Sequence, residues 1–269
     1  MKTLRIIWLL ALLPVACQTT SSTDAPTEAA EAAVIATADE SNPADNTLTE
    51  QEKEEGWQLL FDGESTDHWR GAHQSDFPAQ GWTVEEGTLI VQSSDGAESQ
   101  NGGDIVTNEE YSDFEFQVDF KLTEGANSGI KYFVTEEYNS EKSAIGLEYQ
   151  LLDDARHPDA KLGNNGGDTR TLGSLYDLKA APADKPAHPI GEWNTARVVV
   201  KDNHVTHYLN GEKIVEYDRG SEEYQQLVQA SKYKDWKNFG LADQGHILLQ
   251  DHGNLVYFKN IKVRDLSAS

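Results

Sequence analysis

Residues 145–160, "IGLEYQLLDDARHPDA", carry an alternating strand straight into a patch of Asp, Arg and His. Side chains alternate along a strand, so Ile145, Leu147, Tyr149 and Leu151 share one face and Gly146, Glu148, Gln150 and Leu152 the other. If Ile145 and Leu147 feed the core, Glu148 and Gln150 point together onto the exposed or concave side of a sheet. The loop that follows then sets Asp153, Asp154, Arg156, His157 and Asp159 at its rim. A polar cleft on a rigid strand, with carboxylates and an imidazole at its edge, suits acid–base chemistry. The plainer alternative is a pair of solvated strand positions and a hydrophilic turn. No EF-hand spacing and no H-E-x-x-H accompanies the patch.

Three other stretches offer polar groups to such a cleft. In "EGANSGIKYF", Asn127, Ser128 and Gly129 open a strand that carries Lys131, and small residues there let a ligand approach the backbone. The glycine-rich run Leu162–Asp177, which includes Tyr176, reads as an active-site loop or a plain connection. In "LLQDHGN", Gln250 and His252 lie on one side of a late strand, where a structurally satisfied histidine is the commoner case. Trp57, Trp69, Trp82, Trp193 and Trp236 are candidate sugar-stacking platforms, most of them expected in the core.

The elements that must position these groups are strands. In "FEFQVDFKLT", Phe114, Phe116, Val118, Phe120 and Leu122 face one way while Glu115, Gln117, Asp119 and Lys121 face the other. Similar runs occur in "GWTVEEGTLIVQS", "SGIKYFVT", "TARVVVKD", "HVTHYLNGEKIVEYD", "HILLQDHG" and "LVYFKNIKVRDL". Asn210-Gly211 between apolar runs predicts a type I′ hairpin, whose central residues both need positive φ. One short helix is expected over 221–234, with Ser221 as N-cap and Tyr224, Leu227 and Val228 at helical spacing. Many short strands with turn signals predict an all-β sandwich or jelly roll of two antiparallel sheets, and residues 56–266 have the length of one such domain.

The N-terminus reads separately. "MKTLRIIWLLALLPVAC" has a basic start, an apolar stretch and small residues before Cys17, which is an export signal over residues 1–17. Cys17 is the sole cysteine, which leaves no intramolecular disulfide, thiolate cluster or cysteine nucleophile. Pro14-Val15-Ala16-Cys17 resembles a lipoprotein processing box, although Pro14 stands where Leu is usual. Residues 18–55, rich in Ala, Thr, Ser and Glu, are expected to be a disordered tether, whose coil-like reach is roughly 35 Å. The expectation is an exported lipoprotein held to the membrane only through Cys17, on the periplasmic side because no acidic run follows Cys17. Loss of Lys2 and Arg5 leaves 20 basic against 46 acidic residues, so nucleic acid is repelled and a neutral or cationic partner such as a sugar or metal ion is favoured.

Together "GWQLLFDGESTDHWRG", "GGDIVTNEEYSDFEFQVDFKLTEGANSGIKYF", "GLEYQLLDDARHPDA", "GSLYDL", "GEWNTARVVV", "HYLNGEKIVEY" and "GHILLQDHGNLVYFKNIKV" resemble the 3-keto-disaccharide hydrolase family, also described as 3-keto-glucoside lyases and 3-keto-2-hydroxyglucal hydratases. The resemblance implies a concanavalin-like jelly roll and a glycoside substrate already oxidised at C3. It implies elimination across C1–C2 followed by hydration, which needs a base, a group for the enediolate oxygen and an acid or metal ion at the leaving oxygen. His157 is the first candidate for base or acid, with Glu148 and Asp153 as alternative catalytic carboxylates. Glu148, Gln150 and Asp153 are also the oxygen ligands that a divalent cation such as calcium would take. Lys131 would polarise the ketone, and Gln150, Asn127, Ser128, Tyr176, Gln250 and His252 would bind substrate. A non-catalytic, lectin-like sugar binder is the competing function. A conventional glycosidase built on Glu148 and Asp153 is a third.

Overall fold

Period-2 alternation becomes strands throughout the residues that the computed structural model describes, 44–136, 144–163 and 167–267. In chain order these are β1 (Trp57–Leu59), β2 (Trp69–Gly71), β3 (Trp82–Glu85), β4 (Thr88–Val91), β5 (Ile105–Thr107), β6 (Phe114–Leu122) and β7 (Asn127–Val134). They continue with β8 (Leu147–Leu152), β9 (Asn194–Lys201), β10 (His204–Leu209), β11 (Glu212–Asp218), β12 (His246–Leu249) and β13 (Val256–Asp265). Two helices, α1 (Glu50–Glu54) and α2 (Glu222–Gln229), and a 3-10 turn at Pro158–Lys161 complete the described elements. The export signal, Cys17 and the tether up to residue 43 lie outside the described residues.

Among the described residues the strands form two antiparallel sheets. The larger runs β11-β10-β9-β6-β13-β4-β3, with β1 on the far half of β13, and the smaller runs β2-β5-β12-β7-β8. This is the concanavalin-like sandwich. In β6, at the centre of the larger sheet, Phe114, Phe116, Val118, Phe120 and Leu122 are buried as the alternation requires. Facing them are Ile130, Tyr132, Leu147, Tyr149 and Leu151 of the smaller sheet. Asn210 and Gly211 take φ of 48° and 86° between β10 and β11, the positive pair that the hairpin turn needs. Trp57, Trp69 and Trp82 are core residues, whereas Trp193 is half-buried.

Two expectations need correction. Residues 44–55 are not a tether: Thr49 and Glu52 form a capping box on α1, and the buried Asn46 donates to Gly87 O at 2.8 Å and accepts from Asn260 N at 2.8 Å. Composition misses this because a few specific hydrogen bonds to β13, not apolar burial, hold the segment. The helix stops at Gln229 instead of Lys234. Beyond it the Lys232 N–H donates to the Asp177 carboxylate at 2.8 Å and the Tyr233 N–H to Ser231 Oγ at 3.1 Å, bonds that draw the chain out of helical register.

A polar chain crosses the core. His207 Nδ1 lies 2.9 Å from Gly173 O, His207 Nε2 lies 2.7 Å from Tyr132 Oη, and Tyr132 Oη lies 2.7 Å from Tyr217 Oη. The carbonyl of Gly173 only accepts, so the proton sits on Nδ1 and Nε2 accepts from Tyr132. Burial pushes the His207 pKa down to about 4 from its ordinary 6.5, against the opposing pull of the Gly173 carbonyl. The unfolded chain therefore binds a proton that the folded chain refuses. Stability contributed here is complete above pH 6.5 and is lost progressively as pH falls towards 4, by about 3 kcal/mol. A His207→Phe variant is expected to flatten this limb in a series of thermal melts between pH 4 and pH 7; an unchanged slope would contradict the assignment.

Candidate active site

The smaller sheet's outer face carries the site. β7 and β8 pair antiparallel with Lys131 opposite Glu148 and Gly129 opposite Gln150, and directly opposed residues share a face. Asn127, Lys131, Glu148 and Gln150 therefore emerge side by side. β12 lies on the other flank of β7, and its continuation brings Gln250 and His252 to the same surface. Together with Tyr176 of the glycine-rich loop they line a cavity of about 120 Å³. Glu148 and Gln150 are not solvated strand positions: only 6% and 1% of their surface is exposed.

Loops close the cavity with groups that strand periodicity could not indicate. Glu98 approaches from the β4–β5 connection, and Lys232 and Tyr233 from the chain after α2. Asp177 fixes that second wall. Its carboxylate accepts from Lys232 N and from Arg170 Nε at 2.7 Å, while Arg170 Nη1 donates to Asp159 Oδ1 at 2.7 Å. Tyr176 Oη donates to the other oxygen of Asp159 at 2.8 Å, and the Lys232 ammonium rests 4.3 Å above the Tyr176 ring. Asp159, expected at the rim, thus acts as a brace.

The charges are strongly coupled. Lys131 Nζ lies 3.4 Å from Asp104 Oδ2 and donates to Ala144 O at 3.2 Å, with both charged side chains buried. Burial opposes the Lys131 charge, but the carboxylates of Asp104, Glu148 and Glu98 outweigh it and hold the pKa above the usual lysine value. Burial raises Asp104 to about 6 and Glu148 to about 7; Lys131 opposes both shifts. For Lys232, burial and the neighbouring Arg170 and Lys131 lower the pKa against the pull of Glu148. The result is a carboxylate that exchanges its proton near neutral pH, beside an ammonium that keeps its own.

Gln150's amide can be set in two ways. One donates to Asn127 Oδ1 at 3.3 Å; the other donates to Ser128 O at 3.0 Å and Glu148 Oε1 at 3.1 Å. The second satisfies both ends of the amide and is adopted here, so Gln150 orients Glu148. Gly129 makes room for that carboxylate. A Cβ at Gly129 would sit 3.0 Å from Glu148 Cδ and closer still to Oε1. Gly129→Ala is therefore expected to displace Glu148 and lower kcat by about 100-fold with the circular dichroism spectrum unchanged. Full turnover in the variant would contradict this placement.

Three expected site residues do not face the cavity. Asp153 is buried with its carboxylate committed to a turn, accepting from Gly125 N at 2.8 Å, Ala155 N at 3.2 Å and Arg156 Nη1 at 3.3 Å. It joins neither a catalytic pair nor an oxygen-ligand set with Glu148 and Gln150. Among the described residues no three His, Cys, Asp or Glu side chains converge as metal ligands. Ser128 turns to the opposite face of β7 and donates to Gln250 O at 2.8 Å. His157 stands behind the wall, where Nδ1 accepts from Asp159 N at 3.2 Å and caps the 3-10 turn. Its ring meets His252 edge-on at a centroid distance of 5.8 Å, and burial followed by His252 lowers its pKa.

Comparisons with known proteins give a family and several relatives. A family model described as a 3-keto-alpha-glucoside-1,2-lyase-like domain matches residues 56–264. A 3-keto-disaccharide hydrolase of Bacteroides thetaiotaomicron is 35% identical over 233 residues, covering 79% of each chain. A provisionally assigned glycosyl hydrolase of Parabacteroides distasonis, solved by crystallography, is 35% identical with a TM-score of 0.71, covering 83% of this chain and all of that one. A second such protein from the same organism is 28% identical with a TM-score of 0.57, covering 78% of this chain and 99% of the other.

Proposed function

Since the chain belongs to the 3-keto-alpha-glucoside-1,2-lyase-like family of glycoside-cleaving enzymes, we propose that it cleaves 3-keto-glycosides by elimination across C1–C2 followed by hydration. A ketone at C3 acidifies the hydrogen on C2. The Glu148 carboxylate takes that proton, and the electron pair passes first to the ketone oxygen, where the Lys131 and Lys232 ammoniums face the developing charge. The pair then returns to form the C1=C2 bond while the C1–O bond to the aglycone breaks; the departing oxygen takes a proton from water, and Glu148 returns the C2 proton to solvent. Addition of water, hydroxyl to C1 and hydrogen to C2, gives the free 3-keto sugar.

The observation that carries this reading is a buried carboxylate, raised to about 7, in one cavity with two lysine ammoniums. Elimination asks for that combination, because its transition state carries negative charge on a sugar oxygen. A lectin-like module has no use for a desolvated base, whose burial only costs stability. The conventional pair Glu148 and Asp153 is unsupported, since Asp153 is spent on its turn. The test is a 3-keto-glucoside deuterated at C2. A primary isotope effect on aglycone release is expected; an isotope effect of one, with the effect appearing instead on deuteration at C1, would overturn the mechanism.

A further inference from the structure

Gln250 lines the cavity with 5% of its surface exposed, yet its Oε1 has no hydrogen-bond partner. Its Nε2 lies 3.4 Å from Glu98 Oε1. A carboxylate only accepts, so the amide nitrogen must face Glu98 and the carbonyl oxygen must face away from it. The backbone of Gln250 is held at both ends: its N–H donates to Gly129 O at 3.0 Å, and its carbonyl accepts from Ser128 Oγ at 2.8 Å. The next residue, Asp251, is pinned through its N–H to Asp104 Oδ1 at 3.0 Å and through its carboxylate to Gly103 N at 3.0 Å. The orphaned oxygen is thus rigidly placed.

His252, two residues on, repeats the pattern. Its Nδ1 is buried without a partner, and its Nε2 lies 3.8 Å from Glu98 Oε2. The carboxylate favours the tautomer with the proton on Nε2, which leaves Nδ1 an acceptor. Two residues of the cavity lining thus each carry a buried acceptor without a partner, while Lys131 and Lys232 bring donors to the same lining.

We propose that Gln250 Oε1 and His252 Nδ1, both oriented by Glu98, accept hydrogen bonds from free ring hydroxyls of the sugar and set specificity. The proposal rests on the cavity being the 3-keto-glycoside site. Its consequence is an orientation. A ketone has no proton to offer two acceptors, so it is turned towards the lysines, and the hydroxyl-bearing edge of the ring faces Gln250 and His252. The acceptor pair then distinguishes a hydroxyl from a hydrogen at the ring position it contacts, because a deoxy sugar leaves a buried acceptor unpaired.

The experiment compares the full chain with Gln250→Leu and Glu98→Gln on a 3-keto-glucoside and its 4-deoxy and 6-deoxy analogues. Wild-type kcat/KM is expected to fall about 10- to 100-fold on one deoxy analogue. Gln250→Leu should lose a similar factor on the parent and erase that deoxy penalty. Glu98→Gln, a change at a positioning residue, should shrink the penalty without altering the melting midpoint. A folded Gln250→Leu that keeps the full penalty would overturn the proposal. Calorimetric binding of methyl glucoside and its deoxy forms separates this from the proposed reaction. If nothing is cleaved but the same penalties appear in Kd and vanish in Gln250→Leu, the acceptor pair stands and the elimination reading falls. Equal Kd values for all the sugars, or no binding, would sink the acceptor pair.

Discussion

Glu148→Gln is expected to lower kcat on a 3-keto-glucoside by about 1000-fold while leaving the thermal midpoint unchanged or raised. General-base catalysis supplies roughly 100- to 10,000-fold, and the amide can take the same space without accepting a proton. The stability half follows from linkage. The folded-state pKa of Glu148, about 7, exceeds the ordinary 4.5, so the folded protein holds its proton more tightly than the unfolded chain. Stability from this group is present below about 4.5 and is lost as pH climbs through 7, and a neutral Gln removes that loss. Wild-type rate should rise through about pH 7 as the carboxylate ionises. Steady-state kinetics and scanning calorimetry check both halves. A variant with near-full activity, or one that melts far below wild type, would remove Glu148 from the role.

Lys131→Met is expected to damage both folding and catalysis. Lys131 is the cation nearest Asp104, and Glu148 and Glu98 also act on it. Removing one partner of a buried pair and leaving the other uncompensated costs about 3–5 kcal/mol. Because Asp104 is the group left without its cation, adding Asp104→Asn to Lys131→Met should restore much of the stability in denaturant melts without restoring turnover. That split separates the structural from the catalytic contribution. Additive losses in the double variant would show that the two side chains are not coupled. Recovery of turnover in it would show that Lys131 plays no part in charge stabilisation.

Much of this arrangement was legible in the sequence because strands impose a period of two. Glu148 and Gln150 had to share a face, and the alternating apolar partners showed which face was the core. The same logic found Lys131 on β7 and Gln250 and His252 after β12. Ser128, chosen for its small size and its place in the resemblance and not for its phase, lies one position out of step with Lys131 on β7 and supports Gln250 instead. Loops obey no such rule. Asp153 and His157 looked chemical because of their type, but an Asp or His at the start of a turn can equally capture backbone N–H groups, as both do here. Glu98 and Lys232 lie in irregular segments far from β8 in sequence, and no spacing announces them. Asp177 offered no signal either, although its hydrogen bond to Lys232 N ends the helical turn and turns that lysine into the site. The sandwich itself was readable from alternation and from Asn210-Gly211. The docking of residues 44–55 was not, since it rests on Asn46 and Asn260 recognising one another across most of the chain.

The central claim is that the ketone makes the reaction possible. Its most direct test incubates the purified protein with a 3-keto-glucoside and with the unoxidised parent glucoside, following aglycone release. Release from the keto substrate alone, lost in Glu148→Gln, is the predicted result. Release from the unoxidised parent at a comparable rate would contradict the account, because without the ketone the C2 hydrogen is not acidic enough for a carboxylate to remove.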